Sequence, residues 1–159
     1  MKVIKNSFGV FVGFLLTILS LIFTGYQVMQ ANEQLLFQEK SARWQNYNLL
    51  NDRYANHLMQ IPVSISTNDK GSFSDLTEKD KLWVRSYLDL TSEEFWLKEN
   101  DLLPEEIWET RIVLGIKNNF ITFPKLQLGY QFYKNETPLY YSKKYTNEID
   151  NIISRIKKR

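Results

Sequence analysis

The chain opens on a stretch that is almost purely apolar. From Asn6 to Asn32 no residue is charged, and Phe8 to Met29, FGVFVGFLLTILSLIFTGYQVM, is dominated by Phe, Val, Ile and Leu. As a helix at 1.5 Å per residue this run is about 33 Å long, enough to cross the hydrocarbon layer of a bilayer. A cleaved signal sequence has a shorter apolar region and ends in a small-x-small site. The VMQANEQ that follows is a poor site. The pattern therefore predicts a retained transmembrane anchor, residues 1–31.

One face of that helix differs from the rest. Asn6, Gly9, Gly13, Thr17, Ser20, Thr24, Gln27 and Ala31 recur at steps of three or four, and each is small or polar. Gly9 and Gly13 form a GxxxG pair, which lets two helix backbones approach closely. Gly9, Gly13, Thr17, Ser20 and Thr24 are the predicted association face, and the expected assembly is a homo-oligomer.

Beyond the anchor the period stays helical. Leu36, Tyr47, Leu50, Tyr54, Leu58 and Ile61 keep a three-to-four spacing, which predicts a stalk helix over 32–62 that runs unbroken from the membrane to Pro62. Residues 63–76 read as a loop, with turn chemistry at Asp69, Lys70 and Gly71. Thr77, with Asp80 three places on, starts a second helix. Its apolar face holds Trp83, Val84, Tyr87, Leu88, Leu90, Phe95 and Leu97. Arg85, Asp89 and Glu93 at four-residue steps predict a surface ion-pair ladder. Pro104, Glu105 and Glu106 open a third helix carrying Trp108, Ile112, Gly115 and Ile116. Pro124 to Tyr133 fits either helix or strand. A last helix from about Ser142 places Tyr145, Ile149, Ile152 and Ile156 on one face and ends in RIKKR. The fold class is all-α: a transmembrane helix, its stalk, and a small soluble bundle over 63–159.

Charge alters this picture only in its distribution. Residues 33–109 carry eight Lys/Arg against fifteen Asp/Glu, and residues 110–159 carry ten against three. An acidic middle and a basic end call for an anionic partner at the basic end or for pairing between the two. Orientation in the membrane stays open: Lys2, Lys5 and the amino terminus nearly balance Lys40 and Arg43 across the span, with a small excess that favours an outside domain. There is no cysteine and only one histidine, His57, so thiolate and multi-histidine metal sites are excluded. No nucleophile elbow, HExxH, phosphate loop or EF-hand loop occurs. The expectation is a protein that is not an enzyme and carries no cofactor.

The strongest candidate for chemistry is the C-terminal third. Between Phe120 and Tyr145 lie eight aromatics, with Lys125, Lys134, Lys143 and Lys144 among them. Base–aromatic stacking contributes about 1–3 kcal/mol per base, and lysine attracts phosphate. Tyr130, Tyr133 and Tyr140, with those four lysines and with Arg111 and Lys117, are the predicted ligand-binding residues. The competing reading of the same tract is a tyrosine-rich core with surface lysines, since tyrosine buries its ring while its hydroxyl finds a polar partner.

The stretch RSYLDLTSEEFWLKENDLLPEEIWETRIVLG resembles a helix pair found in many small bacterial proteins, marked by an aromatic-rich acidic helix and an LLPEEIWE restart. The whole layout is similar to small membrane effectors of type III CRISPR defence, in which one N-terminal span carries a cytosolic domain that binds cyclic tetra-adenylate. No binding residue is carried over from that likeness. It implies an antiviral defence effector in the cell inner membrane, single-pass, with a cytoplasmic domain. Its partners would be a cyclic oligonucleotide and membrane lipid, and not DNA. Ligand binding would perturb the bilayer through the transmembrane helices. The alternative is a membrane-anchored scaffold or partner-binding subunit with no small ligand.

Overall fold

The computed structural model describes the backbone of residues 2–67, 71–137 and 140–157 and the side chains of 9–67, 71–137 and 140–156. It is a helical protein, with no strand among the described residues. The chain divides into two compact units, residues 1–41 and 42–159.

The described residues of the first unit belong to helix α1, Lys2–Met59. Its described apolar side chains are largely exposed: Leu21 is 68 % exposed and Phe23 62 %. It is the one described helix long and apolar enough to cross a membrane. The polar stripe is partly satisfied within the helix. Thr17 Oγ1 donates to the Gly13 carbonyl at 2.9 Å and Thr24 Oγ1 to the Ser20 carbonyl at 2.8 Å. Those hydroxyls therefore need no second helix to sit in lipid. The space beside Gly9 and Gly13 is open.

The second unit begins at Ala42, inside α1. Leu50 is buried, and Trp44, Tyr47, Tyr54 and Leu58 pack against the core. This part of the expected stalk is thus one wall of the bundle. Next come α2 (Val63–Ser66) and a 3-10 turn (Phe73–Asp75). The segment read as a loop is consequently more ordered than turn residues alone suggest. Ile65, Phe73 and Leu76 are core residues, and burial of three apolar side chains fixes the path. Gly71 is exposed; Asp69 and Lys70 lie outside the described residues.

Helix α3 (Glu78–Glu99) starts where the capping pattern places it, with Thr77 Oγ1 accepting from the Asp80 amide at 3.2 Å. It ends in a left-handed turn at Asp101, φ 55°, where the Leu102 amide reaches back to the Leu97 carbonyl at 2.9 Å. Pro104 caps α4 (Glu105–Ile107), which widens into a π-helical turn, Trp108–Ile112, before α5 (Val113–Thr122). The ambiguous segment is helical: α6 spans Pro124–Glu136, with Pro124 in its first turn. Gly129 permits its close approach to α3 and the 3-10 turn, since a Cβ there would overlap Val84 and stand 2.8 Å from Phe73 Cε2. Helix α7 (Lys143–Lys157) closes the bundle with Tyr145, Ile149, Ile152 and Ile153 buried.

The Arg85–Asp89–Glu93 series does not lie along α3 as a ladder of its own. Glu93 pairs with Arg53 of α1 at 2.7 Å, Arg85 lies 4.5 Å over the Tyr140 ring, and Asp89 accepts from the Tyr141 hydroxyl at 2.9 Å. Contacts to other elements outcompete the i,i+4 pairs because each orders a side chain against a surface that is already fixed. Lys144 meets Glu99 at 3.0 Å. The acidic middle and the basic end therefore touch within one chain.

Candidate functional site

Most of the predicted ligand residues are engaged within the bundle. Tyr130 is fully buried, its hydroxyl donating to the Thr146 carbonyl at 2.8 Å and to Asp150 Oδ1 at 3.0 Å. Lys134 pairs with Asp150 at 2.6 Å. Tyr133 is half-buried, with its hydroxyl on the Lys81 carbonyl at 3.0 Å. Tyr140 is exposed but has its ring under Arg85. Lys125 is only 4 % exposed, and its ammonium donates to the Ser64 carbonyl at 2.6 Å. Lys144 faces Glu99 and Lys143 is exposed. Lys117, half-buried, and Arg111, exposed, belong to α5 and the π-turn. Most of the rings supply core packing and internal hydrogen bonds, and Lys125, Lys134 and Lys144 meet a carbonyl or a carboxylate of the same chain. Tyr130 and Lys134 meet at Asp150, with the Lys134 ammonium 5.8 Å from the Tyr130 ring, while Tyr133, Tyr140, Lys125 and Lys144 each engage a different partner.

Arg111 is the exception, because it lines a cleft. That cleft, about 310 Å³, is walled by Tyr47, Asn51, Tyr54 and Leu58 of α1, Glu94 of α3, Arg111 and Ile112 of the π-turn, and Gly115, Asn118 and Asn119 of α5. Its size is at the lower end of small-molecule sites, and its lining of rings, amides and one cation is typical of them. The wall has a firm support. Tyr54 donates to the Tyr87 hydroxyl at 2.6 Å, and the Asn119 amide donates to both phenols, at 3.0 and 3.3 Å. Below them the His57 and Trp83 rings stack at 4.3 Å. The indole N–H of Trp83 donates to the His57 carbonyl at 3.2 Å. Two side chains of the lining, Tyr54 and Asn119, are thus oriented by hydrogen bonds, as a receptor surface requires.

Glu94 is the unusual member. It is 6 % exposed, and its Oε2 has no hydrogen-bond partner. Burial, with the neighbouring Glu93 charge adding to it, pushes its carboxyl up from 4.5 to about 8. A buried polar atom without a partner is costly, on the order of 1–3 kcal/mol, and such groups concentrate at functional sites. The π-turn is a second irregularity at the same place. An extra residue in a helical turn weakens local hydrogen bonding and is frequent at functional sites. Here it carries Arg111 and Ile112 to the cleft.

Of the cleft residues, Arg111 is among those the sequence pointed to and Glu94 is not. A signal was present: Glu94 stands seven residues after Tyr87, four after Leu90 and three after Thr91, all of them buried. A carboxylate in register with an apolar face is a buried acid by position. A second cleft, about 430 Å³, holds Arg43, Lys98, Asp101, Glu105 and Glu109 with Leu103, Pro104 and Trp108. Its five charged residues are of both signs. Among the described residues no cluster of His, Asp and Glu is placed to hold a metal ion.

No family model, no curated protein and no solved structure matches the chain.

Proposed function

We propose that the protein is a single-pass membrane-anchored sensor whose helical domain binds a small ligand in the Glu94 cleft. The observation that supports this most directly is the unpartnered, buried carboxyl of Glu94 beside a cleft of ligand size. A fold that keeps such a group gives up stability for it, and ligand binding is a function that accounts for the cost. The cleft wall includes part of α1, the same helix whose N-terminal half is apolar and exposed. A ligand contacting residues 47–58 can therefore favour one state of α1 over another. The response is a population shift, bounded by the ligand's differential affinity for the two states. Self-association through Gly9 and Gly13 would turn that shift into a change in the bilayer. Binding rather than catalysis is the reading, because among the described residues the Glu94 Oε2 has no hydrogen-bond partner and no metal-holding cluster occurs, whereas catalytic sites converge several titratable groups.

The resemblance implies that the messenger is a cyclic oligoadenylate and the setting antiviral defence at the cell inner membrane, with the domain in the cytoplasm. In this reading the cleft, and not the Lys/Tyr tract, reads the ligand. Tyr47 and Tyr54 offer faces for a base, asparagine amides suit an adenine edge, and Arg111 suits a phosphate. A volume of about 310 Å³ suits one nucleotide unit. A cyclic tetramer would accordingly need several subunits, as in a symmetric homo-oligomer.

A second reading, a scaffold or partner-binding subunit without a small ligand, is favoured by one observation: the Lys/Tyr tract spends its polar groups inside the chain. Calorimetry on the full chain in nanodiscs separates the two. Micromolar or tighter binding of cyclic tetra-adenylate that is lost in Arg111→Ala and kept in Lys143→Ala/Lys144→Ala supports the sensor. No heat with any nucleotide, together with salt-sensitive capture of a protein partner, supports the scaffold.

A further inference from the structure

The sensor reading names a site, and the chemistry of its walls narrows what can enter. Glu94 brings a carboxyl whose Oε2 lacks a donor. Its neighbours in the hydrogen-bond network do not supply one: the Tyr54 phenol donates to Tyr87, and the Asn119 amide donates to the two phenols. The titratable groups that interact electrostatically with Glu94 are Glu93 and Tyr87 on α3, Tyr54 on α1 and Tyr145 on α7. None of these is a cation. Glu93 itself is engaged by Arg53. Arg111, the cation of the cleft, is exposed on the π-turn and free to meet an anion from solvent. The cleft lining thus combines a buried carboxyl, Glu94, an exposed cation, Arg111, and the Tyr47 and Tyr54 rings.

We infer that this cleft selects a small amino-bearing anion, placing the amino group against Glu94 and the anionic group against Arg111. The inference rests on the sensor reading and adds the polarity of the ligand. An N–H donor at Glu94 satisfies an atom to which no side chain of the protein donates, so selectivity should be steep. A site built to hydrogen-bond one group rejects the analogue that lacks it far more strongly than an apolar pocket rejects a size change. A hydroxyl also donates, but it is the weaker match because it presents one hydrogen where an amine presents two or three. At the other end, the guanidinium fork suits carboxylate or phosphate in a bidentate pair.

Two sources carry this chemistry, an aminopurine nucleotide and an amino acid, and amine-to-oxygen probe pairs distinguish them. The full chain in nanodiscs is titrated with adenosine 5′-monophosphate and inosine 5′-monophosphate, then with L-phenylalanine and 3-phenyllactate. The expected result is that in one pair the amino member binds at least tenfold tighter. That ratio collapses toward one in Glu94→Gln, and Arg111→Ala weakens both members by tenfold or more. Circular dichroism of each variant confirms the helical fold, and Arg111→Lys, which keeps the charge but not the fork, should recover part of the affinity. Equal affinity within both pairs, a ratio unchanged in Glu94→Gln, or no binding by any of the four probes overturns the inference. Equal affinities that are nonetheless weakened by Arg111→Ala would sink the polarity while leaving the cleft a ligand site.

Discussion

Replacing Glu94 with Gln should flatten the fall in the bundle's stability between pH 6 and pH 9. The Glu94 carboxyl is pushed up from 4.5 to about 8 by burial and by Glu93. Between those values the folded protein keeps a proton that the unfolded chain has released. Raising the pH therefore favours the unfolded state. The stability linked to this proton is fully present below about pH 4.5 and is lost as the pH passes 8. Each unit of pH in that interval costs about 1.4 kcal/mol. From pH 6 to pH 8 the wild-type protein should thus lose about 2 kcal/mol through this one group, since the slope has halved by pH 8. Glutamine has nearly the same shape and does not titrate, so the variant lacks that slope. Its absolute stability is a separate matter, since the amide brings donors that the site must accommodate. Urea unfolding of the full chain in detergent micelles, followed by the fluorescence of buried Trp83 and Trp108, gives both curves. The expected outcome is a gap between variant and wild type that widens by about 2 kcal/mol from pH 6 to pH 8. Parallel pH dependences would show that Glu94 titrates as an ordinary surface carboxyl, and the argument for a strained acid at the cleft would fail.

Other substitutions test the fold that positions the cleft. Gly129→Ala drives a methyl into Val84 and Phe73 and should destabilise the bundle by about 1–3 kcal/mol in the same urea assay. Asp101→Gly relieves the left-handed residue that ends α3 and should raise stability by about 0.5–1 kcal/mol. Thr77→Ala removes the side-chain cap of α3 and should cost about 1 kcal/mol, with the loss of exchange protection concentrated in its first turn. Lys144→Ala deletes an exposed pair with Glu99 and should change stability by no more than about 0.5 kcal/mol.

The fold was largely legible because periodicity reports directly on burial. The charge-free run, the Thr77 cap, the Tyr87/Leu88/Phe95 face and the Tyr145/Ile149/Ile152 face are all local patterns, and each became the element it predicts. Two details were hidden. The stretch Pro124–Glu136 is settled as a helix by packing that depends on Gly129, a long-range contact. The π-turn at Trp108–Ile112 adds a residue to a turn without any change in composition. The Lys/Tyr tract shows the limit most clearly. Composition counts rings and cations, but it does not say that the Tyr130 hydroxyl faces Thr146 and Asp150 or that Lys125 is buried against Ser64. Those outcomes depend on residues far away in sequence. Glu94 was legible in principle from its register with Tyr87, Leu90 and Thr91, because a charge on an apolar face must be explained by what it meets.

The most direct test of the sensor account is hydrogen–deuterium exchange on the full chain in nanodiscs, with and without cyclic tetra-adenylate. The account predicts slowed exchange at residues 47–58 and 108–119, the walls of the Glu94 cleft, and loss of that protection in Arg111→Ala. Protection confined to residues 130–145, or no protection anywhere while a protein partner binds, would contradict it.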